Sequence, residues 1–461
     1  MDTAADDQMR ADSLEYHEGI AHGKYEVLPS KRMEGQRDLS LAYSPGVAFP
    51  CKEIQKDPQM SFELTNRANT VGIFTNGTAV LGLGDIGVHA AKPAMEGQVV
   101  LMKQLGDVDA LDIGVDTKDI EEFVQCVRLL EPSFGAFNLQ DIKGPECFEI
   151  EEKLQAAMGV PVMHNNQHST ACVIMATLIN AVEVTKKSMG TLKVAVCGAG
   201  ASGISTAKFM LEYGINKNNI IVVDSKGVIY KGRTDNMNKY KEQVAADTEA
   251  RTLEDAVKDA DVFIGVSTKD ILTAEMLQSM NKDPIVFAMA NPDPEIKPEL
   301  AKETREDVII ATGRSDYPNQ VLDTMVFPFI FRAALDTGAK VINLEMKKAA
   351  VQALVDLARE EVPQHVKDAY EKETMEFGKE HLIPTPFDTR LLVKVSYAVA
   401  KAAIDSGNST RNQNWEEYTK ELEARVKAKQ EAIAKKVEKN KERFDQVFSV
   451  IRKNTIGVKK T

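Results

Sequence analysis

The run Thr191–Asp224 constrains this chain more than any other. Thr191-Leu192-Lys193-Val194-Ala195-Val196-Cys197 carries the β-branched residues of a strand. It enters Gly198-Ala199-Gly200-Ala201-Ser202-Gly203, then a helix over Ile204–Tyr213 and a second strand, Ile220–Val223, ending on Asp224. A GxGxxG set between strand and helix, with an acid about 20 residues further on, is a dinucleotide-binding turn. Its glycines allow a tight turn and let a pyrophosphate approach the helix N-terminus. Gly198, Gly200, Ala201, Ser202 and Gly203 are therefore the expected cofactor-binding residues. Asp224 stands where the adenine-ribose hydroxyls bind, which favours NAD slightly over NADP. Lys226 and Lys231 lie close enough to accept a 2′-phosphate instead.

The pattern continues as a doubly wound α/β sheet. Helices are expected over Leu253–Val257 and Thr273–Met280, and strands over Val262–Val266, Ile285–Ala288 and Val308–Ala311. Ligands of such sheets gather at the carboxyl ends of strands, where Asn291 and Asn319 stand. Ser169–Lys187, Phe327–Leu335 and Asn343–Leu357 have apolar helical faces. Glu416–Phe444 reads as a charged, solvated helix or subunit contact, and Arg452–Thr461 as a tail.

At 461 residues the chain is too long for one ordinary core, so the first half forms its own domain. Asn76-Gly77 between two apolar runs, Val71–Leu83, predicts a β-hairpin. Gly82–Gly87 also fits GxGxxG, but Pro93 breaks the helix that should follow, so these glycines serve close packing, with the helix starting near Met95. Ser44-Pro45-Gly46 holds Tyr43 at the end of an extended piece. A strand over Ala110–Val115 and a helix over Lys118–Leu130 make this half α/β as well. A formal net charge of −12 argues against nucleic-acid binding. Five scattered cysteines without CxxC spacing indicate a reducing compartment. No apolar run approaches a membrane span, and the acidic N-terminus has no signal-like core, so a cytoplasmic location follows.

Between the halves lies a polar run, Phe134–Ala171, carrying Gln140-Asp141 and His164-Asn165-Asn166-Gln167-His168. These segments, with DLSLAYSPGVA (38–48), NGTAVLGLGDIG (76–87), ANPDPEI (290–296) and ATGRSDYPNQ (311–320), resemble the malic enzyme family in its smaller, bacterial-type form. The resemblance implies oxidative decarboxylation of malate to pyruvate with NAD or NADP and Mg²⁺ or Mn²⁺, and a homodimer or higher homo-oligomer. It implies a smaller N-terminal domain over 1–163, a Rossmann-type domain over 164–408, and a charged helical extension over 409–461.

Carried onto this chain, the family's acid is Tyr43, and its lysine base falls on Gln98, an amide. The metal positions fall on Gln140, Asp141 and Asn166, of which only Asp141 is a carboxylate. Asn76 stands where the family has an aspartate, and Asn165 beside Asn166 is likewise an amide. Asn291 and Asn319 match the substrate-cleft asparagines. Hard dications prefer carboxylate oxygens, so the expected metal site is weakened. Two readings follow: a malic enzyme with an altered metal site, or a relative that binds NAD(P) and a small acid as a sensor or subunit.

Overall fold

The computed structural model describes residues 3–18 and 22–439. Among these residues ten strands form two sheets. The first contains β1 (Thr70–Thr75), β2 (Asp109–Gly114), β3 (Ala136–Leu139) and β4 (Val162–His164), in the order β2-β1-β3-β4 and all parallel. The second contains β5 (Val194–Cys197), β6 (Ile220–Asp224), the two-residue β7 (Gly227–Val228), β8 (Val262–Gly265), β9 (Ile285–Ala288) and β10 (Ile309–Thr312). Its order is β10-β9-β8-β5-β6-β7, parallel except for β7. The order reverses between β5 and β8, which opens a crevice above their carboxyl ends. β1, β3, β4, β5, β8, β9 and β10 are buried along their whole length, as parallel strands covered on both faces must be.

The helix Asn165–Thr185 leaves the first sheet directly after β4. Cys172, Val173, Ile174 and Leu178 are fully buried, so this apolar helix, long enough to cross a bilayer, is packed inside the protein. It begins at Asn165 rather than Ser169, which puts both asparagines in its first turn. The charged C-terminal helix runs over Trp415–Lys439. Its expected continuation to Phe444 and the tail Arg452–Thr461 lie outside the described residues.

Three local expectations are corrected. The hairpin at Asn76-Gly77 does not form. β1 pairs in parallel with β2 and β3, and beyond the turn Ala79 N–H donates to the Asp141 carbonyl at 3.0 Å instead of back to β1. A Cβ on Gly77, at φ +68°, would meet the backbone of Gly87 at 2.4 Å, so this turn serves a close chain crossing. The helix Gly87–Gly106 runs through Pro93. Proline there removes only the bond to the carbonyl of His89, an exposed residue that water can serve. Tyr43 follows a helix, Gln36–Ala42, and not an extended piece.

Candidate active site

A cleft of about 510 Å³ lies at the carboxyl ends of both sheets. The loop after β3 supplies Gln140 to Gly144, the first turn of the long helix supplies Asn166, and the Gly200–Gly203 turn faces them. Gln98 and Asn291 also line it. The two halves are tied at this point: the Ser202 hydroxyl donates to the Asn166 carbonyl at 2.9 Å. A second cavity of similar volume, beside Arg67 and Glu131, contains none of the expected site residues.

The glycine turn fits a dinucleotide. The helix Ala201–Leu211 has no side-chain cap, so its first N–H groups are free to meet an anion. A Cβ on Gly203 would sit 1.8 Å from the Gly198 carbonyl, which explains why glycine closes the turn. A Cβ on Gly200 would meet nothing within 4 Å and would project into open space at the mouth of the turn.

Asp224 is not free to take ribose hydroxyls, and the argument from it toward NAD is corrected. Its carboxylate accepts both Arg233 Nη2 contacts (2.9 and 3.0 Å), Lys241 Nζ (2.7 Å), Asn236 Nδ2 (3.1 Å) and the Lys226 N–H (2.8 Å). Burial alone would raise the Asp224 carboxyl, but Lys241, Lys226 and Arg233 hold it below its ordinary value. Two cations against one anion leave this corner positive.

In the loop after β3, Asp141 adopts φ +55°, a conformation aspartate tolerates better than most residues. Its carboxylate Oδ1 accepts Gln140 Nε2 and Asn166 Nδ2, each at 3.0 Å, while its N–H donates to Asn166 Oδ1 at 2.8 Å. Burial pushes the Asp141 carboxyl up to about 6; the two amides pull it down and nearby Asp323 pushes it further up. Asp323 is the residue that sequence reasoning missed. It lines the same cleft, and burial raises it to about 6 as well. Asn165 Nδ2 donates to its Oδ2 at 2.5 Å across 158 residues of sequence, so no local spacing could have announced it.

The other expected residues divide. Gln98 faces the cleft with a buried Oε1 that has no partner. Asn291 lines it, following β9 through a cis bond to Pro292. Asn319 does not: its amide donates to the Ile310 and Lys379 carbonyls at 3.1 and 2.7 Å and accepts the Leu382 N–H at 2.8 Å. It braces the loop after β10 from behind. Asn76 is also internal, accepting the Thr78 hydroxyl at 2.6 Å. Tyr43 is 71% exposed and does not line the cleft. His168 bonds Glu151 at 2.9 Å, and His164 is wholly buried, so neither histidine serves the cleft. Lys92 pairs with Asp112 at 2.6 Å and does not replace the missing base.

The donor set was tested against a divalent cation. Among the described residues no three His, Cys, Asp or Glu side chains are placed to hold a metal ion. The three expected ligands present one carboxylate, one neutral oxygen (Gln140 Oε1, unpartnered) and, from Asn166, an N–H₂ group. A hard dication needs oxygens at all of them, so these residues do not fit one.

A carboxyl raised in the folded state contributes stability fully below its unfolded pKa of 3.8 and loses it as pH rises through about 6. Asp141→Asn removes that cost. The urea midpoint at pH 8 is expected to rise by the equivalent of about 2–3 kcal/mol, and to stay nearly unchanged at about pH 3, where the carboxyl is neutral in both the folded and the unfolded chain. Urea titrations of both proteins at the two pH values check this.

The geometry agrees with comparison to known proteins. Residues 22–122 match the family model described as malic enzyme, N-terminal domain, and residues 167–368 match malic enzyme, NAD binding domain. The NADP-dependent malic enzyme of Escherichia coli is 51% identical over 407 residues, which is 88% of this chain and 54% of that protein. The chain thus spans about half the length of the curated relatives it matches first. The NADP-dependent malic enzyme of Halomonas elongata is 48% identical across 88% of this chain and 96% of its own length. The crystal structure of malic enzyme from Pyrococcus horikoshii superposes with a TM-score of 0.85 at 34% identity, covering 95% of this chain and all of that one.

Proposed function

Since this chain belongs to the malic enzyme family, we propose that it oxidises malate with a nicotinamide dinucleotide and releases pyruvate and carbon dioxide. One observation carries the reading: the uncapped glycine turn and the buried Asp141 carboxylate face each other across a single cleft, joined by the Ser202–Asn166 bond. When bound there, the dinucleotide supplies the acceptor for the hydride leaving C2 of malate. The N-terminal N–H groups of Ala201–Leu211 would hold its pyrophosphate. The 2-hydroxyl proton needs an acceptor, and Gln98 cannot be one. Asp141 and Asp323, both raised to about 6 by burial, are the carboxylates in reach of the cleft and near the range where a general base works best. Oxidation yields a β-keto acid, and loss of its carboxylate yields the enol of pyruvate, which requires a proton at C3.

Tyr43 is the group we assign to that proton, delivered from a second copy of the chain. It sits on an exposed turn among outward apolar side chains close by in sequence, Leu39, Leu41 and Phe49, and Leu81 is exposed at the cleft rim. Exposed apolar side chains grouped in this way mark a surface meant to be covered. The cofactor we assign is NADP. Asp224 is saturated by Arg233 and Lys241, exposed Lys226 lies next to it, and the Escherichia coli and Halomonas relatives are NADP-dependent by name.

The test is malate-dependent reduction of NADP and NAD by the purified protein, with pyruvate measured in the same samples. Equal amounts of NADPH and pyruvate, with NAD the poorer acceptor, are expected. NADPH without pyruvate would cut the reaction back to dehydrogenation. Neither product, with NADP and malate still bound, would establish the second reading, a binding subunit, which the amide at Gln98 favours.

A further inference from the structure

The side chains at the three metal positions of the family are hydrogen-bonded to one another. Asn166 is pinned in one orientation. Its Oδ1 takes the Asp141 backbone N–H at 2.8 Å, and exchanging oxygen for nitrogen would set two donors face to face. Its Nδ2 must then point at Asp141 Oδ1, 3.0 Å away. Gln140 is fixed by the same logic, because flipping it would oppose its oxygen to that carboxylate; its Nε2 donates to the same Oδ1 at 3.0 Å. Acids at 140 and 166 would place oxygens against Asp141 and repel it unless a cation lay between them. Amides place N–H groups there. Across the cleft the Asp323 carboxylate is likewise held by an amide, from Asn165.

We propose that the amide hydrogens of Gln140 and Asn166 stand in for the divalent cation, so that this chain binds dinucleotide and acid substrate with no Mg²⁺ or Mn²⁺ at this site. The substrate class rests on the malate reading above; the metal-free site does not. What the amides leave unused suits a 2-hydroxy acid. Gln98 Oε1 and Gln140 Oε1 are buried acceptors without partners, fit to receive a hydroxyl hydrogen. Lys143 is the one cationic side chain lining the cleft among the described residues; its ammonium stands 3.5 Å from Glu146, a half-exposed pair that a substrate carboxylate can displace.

The experiment titrates Mn²⁺ into the full chain, following free Mn²⁺ by electron paramagnetic resonance, with and without NADP and malate. No saturable site is expected in the unaltered chain. The Gln140→Glu/Asn166→Asp double variant is expected to gain one, at least about tenfold tighter than any residual binding. Circular dichroism confirms that the variant is folded; if it is not, Asn166→Asp alone replaces it. NADPH formation, where present, is expected to be unchanged by EDTA. A stoichiometric Mn²⁺ site in the unaltered chain, or loss of turnover in EDTA, overturns the proposal. Absence of turnover under every condition, together with absence of Mn²⁺ binding, removes the malate reading and supports the metal-free site.

Discussion

Replacing Gly200 with valine will leave the fold intact and lower dinucleotide affinity on the order of 100-fold, about 2.7 kcal/mol. The two halves of that expectation come from different facts. Gly200 has φ −85° and ψ −163°, an extended backbone that valine adopts readily, and a Cβ there meets no atom within 4 Å. Neither the backbone conformation nor a contact of the added Cβ therefore resists the substitution. The space the side chain enters is the mouth of the glycine turn, where a pyrophosphate must approach the uncapped N–H groups of the helix. Gly203→Val is the contrasting case. Its Cβ would lie 1.8 Å from the Gly198 carbonyl and 3.3 Å from Val266 Cγ2, so the turn itself must open and thermal stability falls along with binding. Fluorescence quenching by NADP, measured beside thermal melts of both variants, separates the two. Unchanged NADP affinity in Gly200→Val would remove the turn from the cofactor site.

What could be read before the structure, and what could not, follows the range of the interactions involved. The glycine turn was legible because its requirements are local: a β-branched strand, three glycines and a helix within about 20 residues. The parallel sheet of the second half followed from the same alternation. The hairpin at Asn76-Gly77 was misread because the dipeptide specifies a turn, not the partner of the strand that follows. The partner was chosen by β2 and β3 pairing with β1 from outside. Pro93 was misread because the cost of one lost helix bond was outweighed by a 20-residue helix burying Met95, Val99 and Met102. At the candidate site, Asp141, Gln98, Asn166 and Asn291 were expected in one cleft and are there. Asp323 was beyond reach, since its bond to Asn165 spans 158 residues and no local spacing links it to the cleft it lines. Asp224 shows the opposite failure: its position in the motif was plain, but the occupants of its lone pairs, Arg233 and Lys241, depend on the loop that follows β7. Asn319 was taken for a ligand because it stands at a strand end, yet every strand end also needs something to hold its loop, and here the amide does that.

Arg332→Ala will destabilise the chain by about 3–5 kcal/mol, because it breaks a buried ion pair and leaves its partner unpaired. The guanidinium is 2% exposed, on the helix Phe327–Thr337 that follows the second sheet. It holds Asp336 with Nε at 2.9 Å and Nη2 at 2.5 Å. Its remaining nitrogen reaches out of its own half, to the Asn69 amide oxygen and to the Asp107 carbonyl at 3.2 Å, both of which flank strands of the first sheet. The same acids anchor the C-terminal helix: Tyr418 donates to Asp336 at 2.9 Å and Arg425 pairs with Asp107 at 2.7 Å. Through Asp336 and Asp107 one side chain thus joins three parts of the molecule, at the C-terminal end of the helix Gly87–Gly106 that also carries Gln98. A single large loss in urea midpoint is expected for Arg332→Ala. Arg332→Met with Asp336→Leu should recover a good part of it, since replacing a buried pair by apolar groups is much less costly than orphaning one member. Lysine should recover little, because an ammonium cannot serve Asp336 with two parallel bonds while also reaching Asn69. If alanine costs no more than a surface substitution, about 0.5 kcal/mol, the joint between the two halves is held by apolar contact alone and the network is incidental to it.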